Sequence, residues 1–330
     1  MKQYQPSLTL SSSPHAHSKD STRSIMRDVC IALLPALCGA VYFFGARALS
    51  VTLVSVAACV FFEWAYRKLM KKDTTTRDFS AVVTGMLLAF VCPVTIPFWM
   101  LIIGAFFAIV VVKQLFGGIG ANIVNPALAA RAFLFSWPSQ MNHWVEPGSR
   151  LPVSGSIDAL TAATPLADLS QGIIPTGTSL TDMFLGSIGG CLGETSALLL
   201  LLGGLYLVLR RVINVRIPLA YLATVAVLAF AFPLGGAARL DWMLWQLLSG
   251  GLMLGAIFMA TDYATSPVTR GGQIAFAVGC GVLTILLRYF SSYVEGVSYA
   301  ILLMNLCVGF FDKIGVPRRF GARKKGGAKA

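Results

Sequence analysis

The chain reads as an all-α polytopic membrane protein of about ten transmembrane helices, laid out as two inverted five-helix repeats. Three observations predict this. Of 330 residues, 56% are hydrophobic and 12% charged, with a mean hydropathy of +0.74; an ordinary soluble domain carries about a quarter charged residues. About ten apolar runs approach the length of roughly 20 residues that a helix needs to cross a hydrocarbon core about 30 Å thick. Lys and Arg are also distributed unevenly over the connections between those runs.

The runs cover residues 29–46, 49–66, 79–93, 98–112, 123–135, 195–209, 217–234, 242–260, 272–287 and 297–311. Several are short, so the third to fifth are candidates for broken or re-entrant pieces. Five runs precede a polar stretch at about 136–185 and five follow it. An odd number per half inverts the second half relative to the first. The expected organisation is a cytoplasmic tail (1–24), a first repeat (25–137), a non-cytoplasmic loop (138–185), a second repeat (186–315) and a basic cytoplasmic tail (316–330).

The net charge of +12 marks topology rather than a nucleic-acid surface, because the basic residues gather at span ends and not on an aromatic-interleaved face. With the N-terminus inside, 21 Lys and Arg fall on the cytoplasmic side, Lys113 among them. Only four, Arg47, Arg150, Arg239 and Arg288, fall outside, and Arg131 lies within a span. This bias predicts cytoplasmic termini and an external position for the 138–185 loop. The basic tail is expected to be solvated and to meet anionic lipid. The first 24 residues hold no apolar core, so no cleavable signal is expected.

The composition also narrows the chemistry. His15, His17 and His143 lie outside every run, leaving no pair for haem in the membrane. No glycine-rich fingerprint follows a strand, so a dinucleotide would be handled by a partner. The seven cysteines form no CxxC and read mostly as small hydrophobes, with one shared metal ligand at a subunit contact left open. Neither a catalytic residue nor a metal site is therefore assigned. Trp64, Trp99, Trp242 and Trp245 read as interface anchors.

Polar breaks locate the candidate sites. Residues 117–126, with Asn122, Asn125 and Pro126, and residues 260–269, with Asp262, interrupt apolar runs in each half. Broken helices in corresponding positions point to a ligand site near a repeat interface. Their polar groups either pair with each other across that interface or meet a ligand. Arg131 is expected to pair with Glu63 or Asp262. Glu194, Thr195 and Ser196 open the sixth run as an acidic, hydroxylated helix start, fit either for a plain N-cap or for receiving an anion.

The longest hydrophilic island carries Ile157-Asp158-Ala-Leu-Thr161-Ala-Ala-Thr164-Pro165-Leu166. Two threonines bound a small-residue tetrad, and Pro165 stops any helix from running back through it. This tetrad resembles the flavinylation motif of the membrane flavoproteins in Rnf and Na⁺-pumping NADH:quinone oxidoreductases. So do the segments 78–89, 122–131, 189–197, 261–269 and 295–305, and together the likeness covers nearly all of 25–315. In length and in its short N-terminal region the chain is most similar to the D subunit of the Rnf complex. One departure is Ala162, where family tetrads often carry glycine.

The resemblance implies FMN joined to Thr164 through a phosphoester, with Thr161, Asp158, Glu194, Thr195 and Ser196 around it. It implies a non-covalent riboflavin near Asn122, Asn125 and Asp262, and a flavin transferase that installs the FMN. It further implies a place in the bacterial inner membrane beside the A, B, C, E and G subunits, where electrons moving between ferredoxin and NAD drive Na⁺ or H⁺ across. The chain is expected to have no turnover alone. Two other classes fit the residues: a urea- or ammonium-type channel, since inverted five-helix repeats also serve conduction, and a scaffold that has lost its flavin.

Overall fold

The computed structural model describes residues 20–145, 147–148, 153, 164–175, 177–291 and 295–314. Among them every regular element is helical. In chain order these are α1 (Thr22–Phe44), α2 (Ala46–Leu69), α3 (Ser80–Phe90), α4 (Phe98–Phe106), α5 (Pro126–Leu134), α6 (Pro138–Met141), α7 (Pro165–Ser170), α8 (Leu180–Leu185), α9 (Ala197–Leu209), α10 (Arg216–Ala231), α11 (Arg239–Leu248), α12 (Leu252–Leu254), α13 (Arg270–Phe290), α14 (Val297–Leu306) and α15 (Val308–Phe311). A π-helical stretch, Phe107–Gln114, continues α4, and a second, Gly255–Met259, continues α12.

All ten apolar runs are thus helical, but they are not equal. α1, α2 and α13 are each long and apolar enough to cross a membrane, and α11 with its continuation to Met259 forms a fourth such unit, bent by 66° at residues 249–251. The remaining apolar helices are shorter than a standard span. Run length alone points to the third to fifth runs as the broken ones. α3 and α5, at 11 and 9 residues, are indeed short, while the sharpest bend falls in the eighth run, where Ser249-Gly250-Gly251 interrupts the helix and Gly250 takes φ +63°.

Contacts between helices repeat in the two halves. α2 packs on α3 and α4, and α4 with its π-helical end on α5; in the second half α10 packs on α11 and α13, and α13 on α14. The first helices of the halves, α1 and α9, pack on each other, as do the fifth, α5 and α14. Both of these pairs run antiparallel. Asp28 near the start of α1 meets Arg210 just past the end of α9 at 3.1 Å. Arg131 in the second half of α5 reaches Ser298 at the start of α14 at 3.2 Å. A β-carbon on Gly203 would come within 2.1 Å of the Ala32 carbonyl, so α9 approaches α1 backbone to backbone, the close packing that small residues permit between apolar helices.

Several charges that the sequence assigns to the surface are inside. Arg47 is buried and donates to the carbonyls of Val94 (3.4 Å), Ile96 (3.0 Å) and Val153 (2.8 Å), with its guanidinium over the Phe98 ring. Arg288 is buried as well, donating to the carbonyls of Gln246 (2.6 Å) and Ser249 (2.8 Å) at the end of α11. These arginines hold helix ends together. Trp242 and Trp245 are core residues, and the Trp242 indole donates to Tyr289 Oη at 2.8 Å. Trp64 and Trp99 do stand exposed. All seven cysteines are free thiols, with Cys59, Cys92, Cys191 and Cys280 buried.

Candidate functional site

The expected site residues collect at opposite ends of α1. At its N-terminal end a cavity, part of it open to solvent, is lined by Met26 and Val29 of α1, Thr84 of α3, Lys113, Asn122, Asn125 and Asp262. The connections 117–126 and 260–269 both contribute to its lining. By helix order, however, they join the fourth run to the fifth and the eighth to the ninth, so they are not equivalent positions in the two halves.

Local chemistry explains how each polar group is held. Asn125 is the N-cap of α5: its Oδ1 accepts from the backbone N–H of Ala127 (3.0 Å) and Leu128 (3.4 Å), and Pro126 sits at the first helical position. Its Nδ2 donates to the Met259 carbonyl at 3.4 Å, at the end of the eighth run. Asn305 of α14 ties both connections together, accepting from the Asn125 N–H (3.1 Å) and donating to the Thr265 carbonyl (3.0 Å). Asn122 Nδ2 donates to the Val124 carbonyl at 3.3 Å. Asp262 accepts from Thr265 Oγ1 at 3.2 Å. Asn125 is therefore largely committed to the fold, whereas Asn122 and Asp262 keep acceptor capacity toward the cavity.

At the other end of α1, Thr164 precedes α7 with an extended backbone (φ −78°, ψ 145°), and its side chain makes no capping bond to that helix. Thr164 borders a small cavity shared with Gly189, Gly190, Glu194, Gly250 and Glu295. Glu194 is thus brought to Thr164. Thr195 and Ser196 do not line this cavity; both are buried, and Ser196 is the N-cap of α9, accepting from the Leu199 N–H at 3.3 Å. Asp158 and Thr161 lie outside the described residues.

Behind Thr164 is a buried charge cluster. Arg131 pairs with Glu194 (3.7 Å) and Glu295, donates to Ser298 Oγ (3.2 Å) and contacts Cys191 Sγ (3.6 Å). The expected pairing with Glu63 or Asp262 is not made. Glu63 instead meets Lys113 at 3.0 Å, because α2 and the π-helical end of α4 bring those two together while Arg131 lies farther along α5, toward the Thr164 end. Cys191, Glu194 and Glu295 place ligand atoms within 4.8 Å of one another, a spacing compatible with a metal, but the guanidinium of Arg131 already supplies the cation there. Lys113, Glu295, Cys191 and Asn305 join these sites without having stood out in the sequence. Lys113 does carry a signal of its own, a charge at the end of a 15-residue apolar run without a second basic residue beside it.

A model of the NQR2, RnfD, RnfE family matches residues 9–321. The chain belongs to this family. It is 48% identical over 320 residues to the D subunit of the Na(+)-translocating ferredoxin:NAD(+) oxidoreductase complex of Acetobacterium woodii, an alignment covering 96% of each chain. It is 44% identical to the D subunit of the proton-translocating ferredoxin:NAD(+) oxidoreductase complex of Clostridium ljungdahlii, over 96% of this chain and 97% of that one. The D subunit of the ion-translocating oxidoreductase complex of Methanosarcina acetivorans is 37% identical over 96% and 98% of the two chains. Within this NQR2/RnfD/RnfE member, then, two candidate sites stand at opposite ends of a helical scaffold, one built around a threonine hydroxyl and one around a polar cavity.

Proposed function

We propose that the protein is the D subunit of an Rnf-type ion-translocating oxidoreductase complex and carries FMN esterified to Thr164. Family membership supports the complex, as do relatives named for ferredoxin:NAD oxidoreduction. One structural observation supports the attachment point: Thr164 is partly exposed and its side chain makes no capping bond to its own helix, although a threonine at that place would ordinarily cap it. Pro165 holds the approach rigid, and Ala162 and Ala163 supply small neighbours in the sequence. Thr164 would hold the phosphate through its hydroxyl, with Glu194 and Glu295, both paired to Arg131, as neighbours lining the small cavity.

The large cavity at the opposite end fits a second, non-covalent flavin such as riboflavin. Asn122 and Asp262 match the amide donor and acceptor pattern of an isoalloxazine edge, and Val29, Leu87, Leu207 and Phe258 supply apolar walls. A bound flavin passes electrons singly or in pairs. The chain itself contributes position, hydrogen bonds and exclusion of water. In this reading the ten helical runs form two inverted repeats of the inner membrane, with both termini cytoplasmic and the Thr164 segment external. Partners are the A, B, C, E and G subunits, a flavin transferase matures the protein, and electron transfer is coupled to Na⁺ or H⁺ movement.

The test is denaturing electrophoresis of protein made in a host with an active flavin transferase. A band at this subunit's mass that fluoresces under ultraviolet light, and is dark in Thr164→Val, supports the attachment. An unmodified mass for the wild-type chain defeats it and favours a channel or a scaffold.

A further inference from the structure

At the base of the large cavity stands a charge hidden in the sequence at the end of an apolar run. Lys113 is 3% exposed. The π-helical turn Phe107–Gln114 aims Lys113 and Gln114 together at α2, as such turns often do at functional positions. Lys113 Nζ donates to Glu63 Oε2 (3.0 Å) and to Ser80 Oγ (2.6 Å). Glu63 Oε1 accepts from Gln114 Nε2 (3.0 Å) and from Thr75 Oγ1 (2.7 Å). Ser80 Oγ in turn donates to Asp78 Oδ1 at 2.7 Å.

The arrangement is asymmetric. Glu63 is held by three donors and would stay in place with one fewer. Lys113, an ammonium with three N–H groups, uses two on the protein. Among the described residues the ammonium makes no further hydrogen bond, and Lys113 is one of the residues that line the cavity. It is also the one cation among the described lining residues, which include the Asp262 carboxylate.

We propose that Lys113 compensates negative charge entering this cavity, donating its third N–H to an acceptor on a planar, amide-bearing ring of the isoalloxazine class. As that contact tightens, its hold on Glu63 loosens. The inference rests on the cavity being a flavin site, as proposed above. When an electron carrier of the complex gives up one electron, the ring gains one unit of negative charge; no bond to the protein forms or breaks, and the ammonium keeps its protons. Burial leaves the interaction little screened by water or salt.

The experiment uses the complex purified with its membrane partners. Non-covalent flavin is extracted and quantified, and its midpoint potential is measured by dithionite titration followed in visible absorbance. The double variant Lys113→Met/Glu63→Gln removes both charges together and avoids stranding a buried carboxylate. It is expected to shift the reduction equilibrium at least tenfold toward the oxidised ring, 59 mV for one electron. Glu63→Gln alone shifts it the other way, Lys113→Arg leaves it near wild type, and the flavin on Thr164 is unmoved in all three.

Flavin retained at an unchanged potential in the double variant makes Lys113 a structural partner of Glu63 only and overturns the proposal. Flavin lost from the double variant but kept by Lys113→Arg supports the contact as a binding one. Loss from both variants overturns it. A wild-type complex with no non-covalent flavin overturns the cavity reading and this proposal with it, whereas flavin that is present and indifferent to Lys113 overturns the proposal alone.

Discussion

Thr164 and Arg131 show what a single side chain decides here. The Thr164 side chain makes no capping bond to α7, so Thr164→Val is expected to abolish covalent flavin while leaving expression and assembly near wild type, read by in-gel fluorescence beside a blot for the complex. Arg131 is the opposite case. It is buried against Glu194 and Glu295, and removing one member of a buried ion cluster costs about 3–5 kcal/mol because the partners are left uncompensated. Arg131→Met should therefore lower the unfolding midpoint of the complex, and Glu194→Gln in the same background should recover part of the loss. A fall that Glu194→Gln does not relieve would mean that packing, not charge, is what Arg131 supplies. Residue identity alone pointed to Thr164, Glu194, Asn122, Asn125 and Asp262. It did not reveal that Glu63 belongs with Lys113, 50 positions away, or Arg131 with Glu295, because ion pairs between helices leave no mark in local composition.

At the level of helices, hydrophobic run length located all ten apolar elements, since a membrane-embedded backbone must satisfy its hydrogen bonds internally, although α1 starts at Thr22, well before its run at 29. Where those helices depart from ideal geometry was not legible. The π-helical ends of α4 and α12 and the bend at 249–251 depend on what packs against them: Arg288 donates to the carbonyls that the broken α11 leaves open. Close helix approach makes a sharper prediction. A side chain on Gly203 would collide with the Ala32 carbonyl of α1, and overpacking of this kind costs about 1–3 kcal/mol. Gly203→Val should lower the unfolding midpoint of the complex in detergent, whereas Gly309→Ala, where an added β-carbon meets nothing within 4 Å, should not. Equal effects at the two positions would remove the case for backbone contact between α1 and α9.

For the whole molecule the prediction concerns sides. Lys72 and Ile173 are both exposed, Lys72 in the turn after α2 and Ile173 just after α7. With cysteine introduced at each position in a background where the exposed Cys38 is replaced, an impermeant maleimide added to intact cells should label position 173 and leave position 72 unlabelled until the membrane is opened. Labelling of both from outside would contradict the proposed orientation. The antiparallel pairings of α1 with α9 and of α5 with α14 make the first and fifth helices of each half run opposite ways.

By itself the sequence determined the class, the ten apolar helical runs, the polar connections and the threonine that stands out from its surroundings, because solvent preference and helix capping act over a few residues at a time. Only the tertiary structure decided which charges are structural and which are available. Lys113, Arg47 and Arg288 look like surface charges until packing encloses them. Whether a buried cation is fully paired or keeps a donor free depends on helices that meet across many tens of residues, and the chain has no local way to record that.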